Sequence, residues 1–133
     1  LDGMKGTAPG AAAGEAMTRF SAAYSQVSED GAETFIFAPQ AYDAAMLMVL
    51  SAIANGVTGP EIGAGLVAAS GGGTKCIGTD CMALAAAGED FDYVGASGDV
   101  NLDASGDPTA ATYDIWQISG DENPVLESVD FGS

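Results

Sequence analysis

Histidine is absent from this chain, and basic residues nearly so: Lys5, Arg19 and Lys75 stand against 19 acidic side chains, a formal net charge of −16 over 133 residues. Without an imidazole there is no His general acid or base, no Ser-His-Asp or Cys-His nucleophile and no His-ligated metal. Most hydrolase chemistry is excluded with them, and the expectation is a protein that is not an enzyme and needs no cofactor. The charge repels phosphate backbones and anionic bilayers, which excludes nucleic-acid binding. Long apolar runs are missing too. The longest, residues 44–50, falls well short of the ~20 residues that span a bilayer. The start, at Leu1 rather than Met, has no basic, apolar and small-residue leader, and reads as a segment of a longer protein.

Side-chain bulk is also scarce, because 25 Ala and 19 Gly make up a third of the chain and aromatic residues only 8%. Apolar residues nevertheless reach 47% and mean hydropathy is positive, which is not a disordered composition. A core is expected, but a thin one with much of its burial in Ala methyls, so independent stability is in doubt. The net charge adds self-repulsion that salt relieves.

Periodicity defines the elements. Residues 1–14 read as a Gly/Ala/Pro-rich loop. Ala16, Phe20, Ala23, Tyr24 and Val27 then share one side of a helix over 15–27. Residues 33–37 suit a short strand ending before Pro39. From 40 to 55 the apolar positions wrap almost the whole circumference, which predicts a central helix covered on several sides. Gly56 is a natural stop, and Thr58 with Glu61 has capping-box spacing ahead of a helix over 59–69. Gly63 and Gly65 inside it each cost roughly 1 kcal/mol against Ala, so close packing or a larger assembly must hold it. After a turn at 70–73, Thr79 caps a short helix over 82–87 that Gly88 stops. Residues 100–103, 104–107 and 112–118 read as strand, turn and strand, with Gly106 taking the positive φ of a hairpin bulge, and 125–129 suits a last strand.

Few constellations carry chemistry. Cys76 and Cys81 could form a metal half-site, a redox pair or a disulfide. Two thiols with no His cannot close a tetrahedral zinc site, and the C-x-x-C spacing is absent, so a disulfide pinning the start of the short helix is the favoured reading. It would stabilise by about 2 kcal/mol at best and implies an oxidising compartment. The run Asn101 to Asp107 opens like an EF-hand loop, but position twelve is Thr112, so a polar hairpin turn is favoured over a metal site. Glu89, Asp90 and Asp92 suggest a solvated acidic loop before a glycosidase pair. Gly71 to Lys75 lacks the second half of a phosphate loop. Phe37 is a candidate ligand contact, since it ends a strand ahead of a buried helix, where α/β folds open their crevice.

Four motifs then line up with a family. Asp2-Gly3-Met4-Lys5-Gly6-Thr7-Ala8-Pro9-Gly10, Phe37-Ala38-Pro39-Gln40-Ala41-Tyr42-Asp43-Ala44-Ala45, Gly88 through Val100 with its Gly95-Ala96-Ser97-Gly98 element, and Gly106-Asp107-Pro108 with Thr112-Tyr113-Asp114-Ile115-Trp116 occur in order across nearly all of the chain. Together they resemble the C-terminal part of type 1 periplasmic binding proteins, the substrate-binding proteins of branched-chain amino-acid ABC transporters. The cysteine pair resembles a disulfide-forming insertion in one branch of that family.

The resemblance implies an α/β chain, part of a two-lobed Rossmann-like fold, with segments from both lobes. Residues 1–36 would belong to the second lobe, 37–42 to a crossover, and 43–99 to a helical piece of the first lobe with the Cys76–Cys81 disulfide. Residues 100–133 would form a C-terminal β-hairpin returning to the second lobe. Phe37 falls where the family packs an aromatic against the ligand, with Gln40 and Tyr42 as weaker candidates. The implied function is binding of an amino acid, branched-chain or other, and its delivery to an ABC permease. The implied location is periplasmic or extracellular, soluble or lipid-anchored. The N-terminal remainder of the protein would cover the helix over 41–53. The competing expectation is a structural or assembly subunit that self-associates through that helix and binds no solute.

Overall fold

A computed structural model describes residues 1–28 and 36–132. Most of the strand expected over 33–37 therefore lies outside the described residues, while Ile36 and Phe37 form a turn. The element order is β1 (Lys5–Pro9), α1 (Glu15–Val27), α2 (Ala38–Asn55), α3 (Gly59–Ala69), β2 (Thr74–Cys76), α4 (Thr79–Ala87), β3 (Phe91–Tyr93), β4 (Ala111–Gln117) and β5 (Val125–Phe131). The chain is mixed α/β with two small sheets. Among the described residues no single helix is long and apolar enough to cross a membrane.

The helical unit is built on α2. Pro39, Asp43, Met46, Leu47, Leu50 and Ser51 are buried, a stripe at i, i+4, i+7, i+8, i+11 and i+12 that turns one side of the helix to the core. Among the described residues only that side is covered. Met48, Val49 and Ile53 on the opposite side are 50%, 42% and 41% exposed. α3 packs on the covered side, where a Cβ at Gly65 would collide with Ser51 and Asn55 of α2. Close approach therefore accounts for Gly65, and the Ser51 hydroxyl donates to the Ile62 carbonyl at 2.6 Å across the same contact. Gly63 faces open space and has no such reason. Glu61 Oε2 accepts from the Thr58 amide at 3.0 Å and its hydroxyl at 2.7 Å, completing the expected box. Those bonds, the hydroxyl first, hold the Glu61 carboxyl below its ordinary pKa.

β2, α4 and β3 form a short parallel crossover, with Thr74, Lys75 and Cys76 opposite Phe91, Asp92 and Tyr93. The disulfide between Cys76 and Cys81 is present, Cα to Cα 5.2 Å, and joins the end of β2 to the first turn of α4. Thr79 is the first residue of that helix rather than its cap, which is Gly78 at φ 56°, a left-handed value that suits glycine. The buried core of this unit comprises Met46, Leu47, Leu50, Ala69, Cys76, Cys81, Ala85, Phe91 and Tyr93.

The second sheet has the order β1-β4-β5, all antiparallel. Here two expectations are corrected. Residues 5–9 are a strand rather than loop, with Gly6 lying directly under the indole of Trp116. And β4 does not pair with residues 100–103 in a hairpin. Those residues make only an isolated bridge, Leu102 to Pro108, while β4 lies between β1 and β5, so the hairpin present is β4–β5. The reason is local: Asp103 Oδ1 accepts from the amides of Ser105 (2.7 Å) and Asp107 (3.0 Å), closing a tight polar turn in place of a ladder. Gly106 in that turn does take a positive φ, 87°.

α1 carries its apolar stripe only in part. Ala16 and Phe20 are buried, whereas Val27 is 77% exposed. The Arg19 guanidinium fixes the helix, donating to Glu15 at 2.7 Å and to Asp80 of α4 at 3.0 Å. The sheet unit meets the helical unit near the N-terminus of α2, where Gln40 donates to the Gly10 carbonyl and the Ala12 amide donates to the Ser97 carbonyl.

Candidate functional site

The most heavily bonded polar group is Asp43, a carboxylate 1% exposed in the first third of α2. Its Oδ1 accepts from the Tyr93 hydroxyl (2.8 Å) and the Ala96 amide (2.7 Å), and its Oδ2 from the Ser97 amide (2.7 Å) and hydroxyl (2.6 Å). Four donors around one buried anion meet the condition under which a charge is tolerated away from water. Gly95 leaves the room for it, since a Cβ there would lie 2.5 Å from Oδ2. Burial first, then the adjacent Asp43 charge, pushes the Tyr93 phenol far above its ordinary value, so it stays a donor. This latch joins α2, the end of β3 and the 95–98 turn into one rigid wall.

That wall is one side of a cleft of about 530 Å³ between the helical unit and the β1-β4-β5 sheet. On the helical side the lining includes Gln40, Asp43, Ala44, Leu47 and the residues from 97 to 102. On the sheet side it includes Pro9, Ala111, Tyr113, Asp130 and Phe131. The size falls in the range of small-molecule sites, and the lining has their character, apolar with a few polar groups. Gln40 ties the two sides together, its Nε2 donating to the Gly10 carbonyl of the sheet unit at 2.7 Å. Its Oε1 is buried with no hydrogen-bond partner. An orphaned buried acceptor costs about 1–3 kcal/mol, so this atom is short of a donor.

The three residues singled out as ligand contacts are not brought together. Gln40 lines the large cleft. Tyr42, two residues on, turns to the other side of α2. There it packs against Phe20 with ring centroids 5.3 Å apart and lines a separate cavity of about 150 Å³ with Ile77, Gly78 and Tyr93. Phe37 caps α2 in a left-handed conformation, φ 63°, is 62% exposed, and lines none of these cavities. Its conformation is costly for a bulky residue. Asp43 and Ser97, which sequence reasoning quoted within motifs but gave no role, form the centre of the cleft's rigid wall. The available signal was an acid two positions into an apolar helix face together with a small-residue turn, Gly95-Ala96-Ser97-Gly98, able to turn amides toward it.

The remaining constellations resolve into local structure. Asp103 is occupied by the amides of its own turn, Asp107 first, which lowers its pKa. Among the described residues no cluster of His, Cys, Asp or Glu is arranged to hold a metal. Phe91 and Tyr93 of the acidic stretch face the core, and Asp92 lies 3.9 Å from Lys75. Lys75, in β2 rather than a phosphate loop, bonds Asp99 at 3.3 Å. No protein-family model, curated protein or solved structure matches this chain.

Proposed function

We propose that this chain is the C-terminal portion of a two-lobed solute-binding protein of the type 1 periplasmic class, which captures a small solute, an amino acid in the first instance, and presents it to an ABC permease. The supporting observation is the cleft of about 530 Å³. It lies between two structural units that meet through few contacts and it has one wall fixed by the Asp43 latch. Such an arrangement suits capture without catalysis, because a ligand that contacts both sides better when they are closed stabilises the closed state by that difference. The disulfide fits the oxidising location that this function requires. Isothermal titration of the protein with leucine, isoleucine and valine tests the reading. Saturable binding of at least one, accompanied by a rise in melting temperature, is expected. No heat and no stabilisation from any small solute in a broad panel overturns it.

The self-association reading keeps one observation of its own, the bare side of α2 at Met48, Val49 and Ile53. A second copy seated there gives a mass in solution twice that of the chain, which light scattering reads directly.

A further inference from the structure

The cleft is charged in one sense only. Asp43, Asp99 and Asp130 are among the residues that line it, and no Lys or Arg is. Two of these carboxylates are already engaged, Asp43 by its four donors and Asp99 by Lys75 at 3.3 Å. Asp130 is held only by a neutral partner: its Oδ1 accepts from the Thr112 hydroxyl at 2.8 Å, and among the described residues it forms no ion pair. Gln40 also lines the cleft, its Nε2 held by the Gly10 carbonyl and its Oε1 buried without a partner. Around these the surface is aliphatic and aromatic, with Leu47, Tyr113 and Phe131.

Building on the solute-binding reading, we propose that the cleft selects a solute with an ammonium group and an apolar body, and rejects a free carboxylate or phosphate. An anion entering it would lose water next to carboxylates, with no cation to replace the solvation, in a molecule whose whole field is negative. An ammonium gains both the Asp130 carboxylate and the long-range field. If the solute is an amino acid, its carboxylate is held by groups outside this cleft.

The test uses three probes of one shape, 3-methylbutylammonium, 3-methylbutanoate and 3-methylbutanol, titrated calorimetrically into the protein at low and high salt. The amine is expected to bind at least about tenfold more tightly than the carboxylate, a difference near 1.4 kcal/mol, and to weaken as salt rises. Asp130→Asn should cut amine affinity by about the same factor and leave the alcohol unchanged. A carboxylate that binds as well as the amine overturns the selectivity while leaving the solute-binding reading intact. Equal amine affinity in Asp130→Asn overturns the role of Asp130. Absence of binding by all three probes and by leucine overturns the reading and the selectivity together.

Discussion

Asp43 illustrates how a single side chain can organise a wall. An Asn in its place keeps the shape but turns an N–H₂ group either toward the Tyr93 hydroxyl and Ala96 amide or toward the Ser97 amide and hydroxyl, so at least one donor faces another donor. A buried donor left without an acceptor typically costs about 1–3 kcal/mol, so Asp43→Asn should lose about 2 kcal/mol or more in a denaturant titration, against a thin core. Tyr93→Phe removes one of four donors and should cost roughly 2 kcal/mol. It also changes the alkaline limb. Folding raises the Tyr93 pKa above its ordinary 10.0, so the fold favours the neutral phenol. That contribution is complete below pH 10 and is lost as the pH climbs beyond it, because the unfolded chain then ionises first. Tyr93→Phe should therefore be less stable at neutral pH yet lose less on going from pH 9 to 11. Circular-dichroism melts at the two values check it, and equal losses in both proteins would refute the burial of this phenol.

Secondary structure was legible in the sequence where a residue's environment is set by its near neighbours. α1 and the body of α2 follow from apolar spacing and α3 from its capping box, and Gly88 ends α4 with φ 70°, as its position suggests. The three short strands β1, β2 and β3 were not legible. Each has only three to five residues, and β1 carries Gly6 and Pro9, so its strand character comes from pairing with β4 more than a hundred positions away. The latch had the same difficulty: its acceptor and its amide donors are 53 and 54 residues apart. The disulfide belongs to the local class, a ring so small that its effect is local too. Reducing it should cost about 2 kcal/mol by loop entropy. Hydrogen exchange should then accelerate in β2 and the first turn of α4, while the β1-β4-β5 ladder keeps its protection. Equal loss of protection in both sheets would mean that the bond supports the whole fold.

At the scale of the molecule, charge and surface pull in the same direction. With −16 on 133 residues the compact state repels itself, and the Debye length shrinks from about 10 Å at 0.1 M to about 3 Å at 1 M salt. The melting temperature should accordingly rise with sodium chloride, and a fall would show that the carboxylates are not a net burden. The chain exposes 7991 Å², where a compact monomer of its mass exposes about 6,400 Å². The difference, about 1,600 Å², is roughly twice the ~800 Å² that one partner contributes to a standard interface. The side of α2 turned away from the core contributes to it, and the two methionines of α2 allow a direct reading. Met48 is 50% exposed and Met46, on the covered side, is 8% exposed. Mild peroxide should convert Met48 to the sulfoxide well before Met46 in the isolated chain. If a further part of the protein sheathes this side, as the solute-binding reading requires, Met48 becomes as slow as Met46 in the native assembly. A Met48 that oxidises equally fast in both would leave α2 bare and remove the reason for a covering partner.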